Sequence, residues 1–342
     1  MLPVLITIDT EYSLALYQSG EGRDCADNYA RSIACASGRG STGIHYQMKR
    51  FDAHGLKGVF FVDPMPAMVW GQEAVDAVVH PILERGHEVQ LHLQSEWLEF
   101  AEPSARPVGN TGSNIKDFSL DEQAILLEYG IERLVAAGAE RPIAFRAGNY
   151  GANDDTLRAL AKLGLVYDSS FAPGIPDSAC EISLDAAQLS PILHHGITEV
   201  PIGAIAAIGG GMRHAQITAL SQWELKRAVA HAAGEGWPAF VIVSHSFELF
   251  DRARGIPNGI VGRRFDRFCK WLGQQGGSGA TTFAALRDKA SDLRAGSDEP
   301  MNLLPHNPLA TAQRIVEQAV ANTLPGSVRI GPAAIAAVSP IL

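Results

Sequence analysis

Short apolar runs alternate with longer helix-like segments along the chain, and this alternation most constrains its fold. The rhythm is typical of βα units around a parallel sheet. The runs are continuous rather than alternately polar and apolar, as expected for strands that are buried on both faces. We therefore predict an α/β fold with seven strands: Val4–Asp9, Gly58–Val62, Glu88–Leu93, Ile143–Arg146, Leu165–Tyr167, Glu199–Ile202 and Phe240–His245.

The segments between these strands carry the end signals of helices. Ser119 and Glu122 form a capping box, and Asn153 is a favourable N-cap. Seven strands with intervening helices favour a closed or nearly closed barrel. No GxGxxG motif follows the first strand, which disfavours a two-domain Rossmann arrangement. The predicted helices are Gly71–Arg85, Ser119–Ala137, Asp154–Leu163, Ser221–Glu235 and Gly262–Gln275.

The barrel is expected to occupy residues 1–295 as one domain, followed by a C-terminal extension, residues 296–342. In the extension, Asn302–Pro308 predicts a turn-rich linker and Thr311–Ala321 a short helix. Three long segments, polar or rich in Gly and Pro, predict loops on the functional rim of the barrel. They are Gln18–Gly43, Pro103–Asp117 and Ala172–Pro191.

Charge and composition narrow the possible partners. A formal net charge of −9 argues against a sequence-independent nucleic-acid binder, because such a protein needs Lys and Arg to neutralise phosphates. A small-molecule or glycan substrate suits this charge better. The four cysteines form no CxxC pair, so we expect reduced thiols. Met1–Asp9 lacks the basic region of a signal peptide, and no apolar run approaches the ~20 residues of a membrane span. We therefore expect a cytoplasmic protein.

Four chemically capable side chains close separate predicted strands: Asp9, His92, Arg146 and His245. In α/β barrels the active site lies at the carboxyl ends of the strands. Each residue alone is more often structural, but the joint pattern is poorly explained by chance. Hydrolysis of an amide or ester needs a base and an acid, and a metal can activate the water. Asp9 is suited to be the base, with Arg146 orienting it and keeping it ionised. His245 is suited to be the acid, and His92 to ligate a divalent metal.

The order of these motifs resembles that of the NodB-type polysaccharide deacetylases. TIDTE is similar to the family's Thr-Phe-Asp-Asp motif, and GHEVQLH to its Gly-His-Glu-Ile-Gly-x-His motif. FRAGNYG is similar to Arg-x-Pro-x-Gly, and IVSH to Leu-x-His, so that the matches run from Leu5 to Ser246. The resemblance implies a NodB-like (β/α)7 distorted TIM-type barrel. It also implies metal-dependent removal of an N- or O-acetyl group from a carbohydrate, by a hydrolase of non-peptide C–N bonds.

The chain departs from the family at two of the three expected metal ligands. Thr10 stands where the family has a second Asp, and Glu96, or Gln94 in some relatives, where it has a second His. Glu11 and Glu96 could join His92 in a carboxylate-rich site that suits Mn²⁺ or Mg²⁺ and tolerates Zn²⁺. Two alternatives stay open. One is a metal-free amidohydrolase, and the other is a degenerate barrel that binds a carbohydrate without turning it over.

Two aromatic residues near the motifs are candidates for substrate binding. Trp97 and Tyr150 follow two of the motifs, and either could stack on a sugar ring as a substrate-binding residue. His194 and His195 precede a predicted strand but have no partner at a metal-ligand spacing in the sequence.

Overall fold

Seven parallel strands curl into a barrel in the computed structural model, which describes residues 2–175, 177–252, 254–275, 280–294, 301–311 and 314. The barrel strands are β1 (Val4–Thr10), β2 (Val59–Val62), β3 (Glu88–Leu93), β4 (Ala144–Ala147), β5 (Tyr167–Asp168), β6 (Ile197–Glu199) and β7 (Phe240–His245). They are hydrogen-bonded in the order β7-β1-β2-β3-β4-β5-β6. After β6, Ile202 forms a parallel bridge with Val241 of β7, which brings the two ends of the sheet together.

The seven predicted strands coincide with these seven in type and order, and the α/β barrel prediction is confirmed. The largest shift in bounds is at β6, which ends at Glu199, where the predicted strand begins. Pro201 explains this difference because it has no N–H to donate to a neighbouring strand.

Within the described part of the chain, six longer helices pack around the sheet. Both predicted caps are present, Ser119 with Glu122 and Asn153 with Thr156, and a further capping box is formed by Ser221 with Glu224. The first helix was not predicted, whereas the other five match predicted segments. The helices are α1 (Ile44–Ala53), α2 (Glu73–Glu84), α3 (Leu120–Ala136), α4 (Asp154–Lys162), α5 (Gln222–Gly234) and α6 (Gly259–Gly273).

Short elements complete the described chain. Short helices and turns are Leu14–Ser19, Cys25–Asn28, Tyr29–Ile33, Ala67–Trp70, Ser95–Glu99, Pro103–Ala105, Ile115–Asp117, Gly148–Tyr150, Phe283–Leu286, Arg287–Lys289 and Ala290–Leu293. Short strands are Ala36–Ser37, Gly40–Ser41, Ile192–His194, Ala204–Ala206, Met212–His214, Phe250–Asp251, Ile256–Pro257 and Ala280–Thr281. Within the described ranges, no helix is long and apolar enough to cross a membrane. All four cysteines are free thiols.

Alternation along each strand divides the buried side chains into two cores. On β1, Leu5 belongs to the core inside the barrel, whereas Val4 and Ile6 belong to the core that the outer helices cover. On β2, Phe61 packs inside and Phe60 outside. The continuous apolar runs therefore reflect strands that are buried on both faces, as predicted.

The segment 280–293 closes the amino end of the barrel. Both carboxylate oxygens of Glu88 accept backbone hydrogen bonds at the start of the helix Phe283–Leu286, from Phe283 at 2.9 Å and Ala284 at 2.8 Å. The Phe283 ring is fully buried against Phe61 and Tyr167. With this end filled, the carboxyl ends of the strands lie at the opposite end of the barrel, which we call the mouth.

Residues 301–311 pack on the outside of the barrel. Leu304 is buried, and its carbonyl accepts a hydrogen bond from the Ala206 N–H at 3.0 Å. Most of the helix predicted at Thr311–Ala321 lies outside the described residues. The division between barrel and extension at residue 295 stays a prediction.

Truncating Phe283, in the segment 280–293 that closes the amino end of the barrel, should destabilise the whole domain. We expect Phe283→Ala to lower the free energy of unfolding by ~3–5 kcal/mol, because it leaves a cavity among aromatic rings. Phe283→Leu, which keeps most of the volume, should cost less than ~1.5 kcal/mol. Urea unfolding monitored by circular dichroism measures both. A loss below ~1 kcal/mol for the alanine variant would show that the segment does not seal the core.

Candidate active site

The registers of the strands bring the predicted site residues together at the carboxyl end of the barrel. Asp9 of β1 is paired in register with His245 of β7, and His92 of β3 with Arg146 of β4. Sequence reasoning placed each of the four at a strand end. In the sheet these four residues lie side by side as two pairs at the carboxyl end of the barrel.

Arg146 and Asp9 form a buried ion pair. The Arg146 Nη1 atom lies 2.7 Å from Asp9 Oδ1 and 2.8 Å from Thr7 Oγ1. Its Nε and Nη2 atoms donate to the carbonyl and the hydroxyl of Ser169 at 3.0 and 3.1 Å. The guanidinium also lies 4.4 Å from the centre of the Phe61 ring, and the residue is fully buried. Asp9 is therefore held in one orientation, with Oδ1 occupied.

His92 forms a second pair with Glu11. The His92 Nδ1 atom lies 2.8 Å from the Arg146 carbonyl, which can only accept, so Nδ1 carries a proton. The Nε2 atom lies 3.0 Å from Glu11 Oε2, which also accepts from Gln94 Nε2 at 2.6 Å. Burial opposes the charge of Glu11, but the hydrogen bond and charge of His92 outweigh it and lower the pKa of Glu11 to about 2. Burial likewise opposes the charge of His92, yet the hydrogen bond to Glu11 and the charge of Asp9 raise the pKa of His92 overall.

His245 forms a third pair, with Glu248, which the sequence reasoning missed. The Nδ1 atom of His245 lies 3.3 Å from Glu248 Oε1, and its Nε2 atom lies 3.9 Å from Asp9 Oδ2. Burial alone would lower the pKa of His245. The hydrogen bond and charge of Glu248, followed by the charge of Asp9, instead raise it to about 9. The imidazole is therefore protonated at neutral pH, and its side chain keeps 23% of its surface exposed.

Asp63 is another carboxyl that the sequence reasoning missed. It follows β2, and its Oδ1 atom accepts from the backbone N–H groups of Met65 at 3.1 Å and Gln94 at 3.2 Å. Its Oδ2 atom is buried and has no hydrogen-bond partner within the described ranges. Burial is the main reason that the pKa of Asp63 rises to about 7. The rule that selected Asp9, a polar residue directly after a buried strand, would also have selected Asp63.

Tyr150 lies beside the ion pairs in a strained turn. Asn149 and Tyr150 both have positive φ angles, 54° and 56°, which non-glycine residues rarely adopt. The Tyr150 hydroxyl is buried and has no hydrogen-bond partner in the part of the chain that the structure describes. Burial, and then the charge of Asp9, raise its pKa, so the hydroxyl keeps its proton. The turn thus presents an unused hydrogen-bond donor near Asp9.

Two other predicted site residues are placed differently. Trp97 is fully buried and packs on Tyr17 and Trp70, at ring-centre distances of 5.5 and 5.1 Å. The prediction that it stacks on a sugar is therefore wrong, because an apolar aromatic cluster covers its ring. Glu96 is partly buried, and its pKa is raised by burial and then by the nearby charge of Glu11.

The predicted metal ligands do not form a compact three-ligand set. His92 and Glu11 are in contact, but no third His, Cys, Asp or Glu of the described residues has a ligand atom within 4.8 Å of both. Such a group of three does form elsewhere, at Asp154, His194 and His195.

Comparison with solved structures identifies the barrel type. The fold resembles that of a Mycobacterium smegmatis protein proposed to be a polysaccharide deacetylase, with a TM-score of 0.52 and 15% identity over 90% of this chain and 94% of that one. It also resembles the 4-α-glucanotransferase of Thermococcus litoralis, with a TM-score of 0.51 and 11% identity over 84% of this chain and 40% of that one. No protein-family model and no curated protein matches the chain. The predicted NodB-like (β/α)7 barrel is thus confirmed at the level of the fold.

The Arg146–Asp9 pair should be coupled energetically. We expect Arg146→Met to lower the free energy of unfolding by ~3–5 kcal/mol, because it leaves Asp9 buried without its cation. Adding Asp9→Asn to that variant should restore part of the loss. Urea unfolding of both single variants and the double variant measures the coupling. Arg267→Met, at an exposed position of α6, should change stability by less than ~0.5 kcal/mol. Strictly additive losses for the pair would contradict this account.

Proposed function

We propose that this chain is a hydrolase of non-peptide C–N bonds that removes acetyl groups from an N-acetylated carbohydrate. One observation carries the proposal. Asp9 Oδ2 and His245 Nε2 face each other at 3.9 Å, too far for a hydrogen bond and close enough to serve one reacting centre. Each of the two side chains is fixed from its other side, Asp9 by Arg146 and His245 by Glu248.

Asp9 acts as the general base. Arg146 occupies its Oδ1 atom, so Oδ2 is the oxygen that remains for a water molecule at the mouth. Oδ2 accepts one proton of that water as the water oxygen attacks the acetyl carbonyl carbon. Because Arg146 is itself held by Thr7 and Ser169, Asp9 does not need to reorient during this step.

His245 acts as the general acid. Its imidazole is protonated at neutral pH, with Nδ1 directed at Glu248, so Nε2 is the atom that donates. The Nε2 proton passes to the amide nitrogen as the C–N bond breaks, which releases acetate and the amine. The Tyr150 hydroxyl, which has no hydrogen-bond partner among the described residues, donates to the carbonyl oxygen while negative charge develops there.

The residues at the mouth do not fit a catalytic zinc ion, one of the divalent ions that the family resemblance implies. Three protein ligands are usual for a catalytic zinc ion, whereas here His92 and Glu11 supply two. The Gln94 side chain already donates to the same Glu11 oxygen that an ion would need. This donor set favours the metal-free alternative, and the steps above use only side chains of the chain and water.

Two kinds of observation support a carbohydrate substrate. Two solved proteins with a similar fold carry names that refer to polysaccharides or glucans, and the motifs TIDTE and GHEVQLH resemble those of deacetylases. The alternative of a binding barrel without turnover is disfavoured by the paired Asp9 and His245. Binding alone does not require a positioned base opposite a protonated imidazole.

Removing the base or the acid should strongly slow acetate release. We expect Asp9→Asn and His245→Asn each to lower kcat/KM for acetate release from short N-acetylglucosamine oligomers by ~10²–10⁴-fold. His231→Asn, on α5, is the control and should retain activity. The assays are run with and without a chelator, and the wild-type rate should be unchanged by it. Activity within a few-fold of wild type in either site variant would refute the assigned roles, and chelator-sensitive activity restored by a divalent metal would refute the metal-free reading.

The pH dependence should report His245. Its pKa is raised to about 9, so the acid is present below that pH and is lost as pH rises through it. Glu248→Gln removes the charge that favours the imidazolium, and the alkaline limb of kcat/KM should move to lower pH, by on the order of one unit. Ser244→Ala removes a hydrogen bond to Glu248 but keeps its charge, and should move the limb little. An alkaline limb that is identical in wild type and Glu248→Gln would exclude His245 as the titrating acid.

A further inference from the structure

A second cluster of metal-ligating side chains lies outside the barrel mouth. Asp154 is the first residue of α4, His194 ends the strand Ile192–His194, and His195 begins the turn that follows. His194 Nε2 lies 3.1 Å from Asp154 Oδ1, and His195 Nε2 lies 3.0 Å from Asp154 Oδ2. All three ligand atoms lie within 4.8 Å of one another. The three side chains keep between 21% and 26% of their surface exposed, so an ion could reach them.

Ser183 fixes the orientation of the carboxylate. Its backbone N–H donates to Asp154 Oδ1 at 2.9 Å, and its hydroxyl donates to Asp154 Oδ2 at 2.6 Å. Both oxygens are therefore held toward the imidazoles. Outer hydrogen bonds of this kind orient the ligands of metal sites and strengthen metal binding.

The two polar contacts of His195 Nε2 cannot both be hydrogen bonds. Its Nε2 atom lies 3.2 Å from Arg158 Nη2, which can only donate, and 3.0 Å from Asp154 Oδ2, which can only accept. If Nε2 carries no proton, no hydrogen bond joins it to Asp154 Oδ2. If Nε2 carries a proton, its N–H and the N–H of Arg158 face each other as two donors. A cation between the imidazole nitrogen and the carboxylate removes the conflict, because both then act as electron-pair donors.

His195 also adopts a backbone conformation that needs support. Its φ angle is 46°, in the left-handed region, which is costly for a residue with a side chain. The following residue, Gly196, also has a positive φ, 88°. This turn is what directs two successive imidazoles, with ring centres 4.2 Å apart, toward the same carboxylate.

We propose that Asp154, His194 and His195 form a zinc site with an open fourth position for water. Two imidazole nitrogens and one carboxylate oxygen are a donor set that zinc favours, with three protein ligands and one solvent ligand. The ion would join the start of α4 to the turn after the strand Ile192–His194. The site is independent of the proposed function, because among the described residues no hydrogen bond or ion pair joins its ligands to Asp9, His92, Arg146 or His245.

The full-length protein, stripped with a chelator and dialysed, is titrated with Zn²⁺ by calorimetry and in competition with a chromophoric chelator. We expect a zinc site that persists in His92→Ala and loses at least ~100-fold in affinity in the double variant His194→Ala/His195→Ala. Zinc should also raise the thermal midpoint of the wild type but not that of the double variant. Zinc binding that is lost in His92→Ala and kept in the double variant would overturn the proposal, as would an absence of zinc binding by the wild type.

Two single variants keep the test decisive if the double variant folds poorly. Ser183→Ala leaves the three ligands in place and should weaken zinc binding ~10-fold, because the carboxylate is no longer oriented. Arg158→Ala should tighten zinc binding, since it removes a positive charge and a competing donor at His195 Nε2. Wild-type zinc affinity in both variants would contradict the assigned geometry. Acetate release measured on the same samples separates this site from the proposed catalytic one.

Discussion

The buried ion pair between Arg146 and Asp9 is the interaction on which the barrel mouth depends. Removing a guanidinium from water costs several kcal/mol, and the cost is offset only when its hydrogen bonds are satisfied. Arg146 meets this condition with Asp9 and Thr7 from β1 and with Ser169 after β5, while Phe61 of β2 lies against its face. One side chain of β4 thereby ties together strands that are distant in sequence, and the position of Asp9 follows from it.

The other charges of the mouth are arranged around this pair. Glu11 is matched by His92, and Glu248 by His245, so that each of these carboxylates has an imidazole beside it. Asp63 has backbone donors but no ion pair among the described residues, and its pKa rises to about 7. The same electrostatic balance explains why His245 is protonated and why Glu11 stays ionised. An acid and a base can therefore coexist across a short gap, as general acid–base catalysis requires.

Much of the fold could be predicted from the sequence, because continuous apolar runs and helix caps are local signals. The capping boxes at Ser119 and Ser221 show this. What could not be predicted depends on contacts between distant segments. Trp97 follows a catalytic motif, yet Tyr17 and Trp70 bury it. Glu88 and Gln90 belong to the motif GHEVQLH but serve the fold. Glu88 caps the helix Phe283–Leu286, and the Gln90 side chain accepts hydrogen bonds from the backbone N–H groups of Ile143 and Ala144. His194 and His195 gain their partner Asp154 only through tertiary packing.

The central claim is that Asp9 and His245 act as one unit on one bond. A double-variant cycle on kcat/KM tests it, using Asp9→Asn, His245→Asn and the combination, with acetate release from N-acetylglucosamine oligomers as the readout. Groups that serve one transition state are strongly non-additive. The account predicts that the double variant is slower than the worse single variant by no more than a few-fold. Losses that multiply, so that the double variant shows the product of the two single effects, would contradict it.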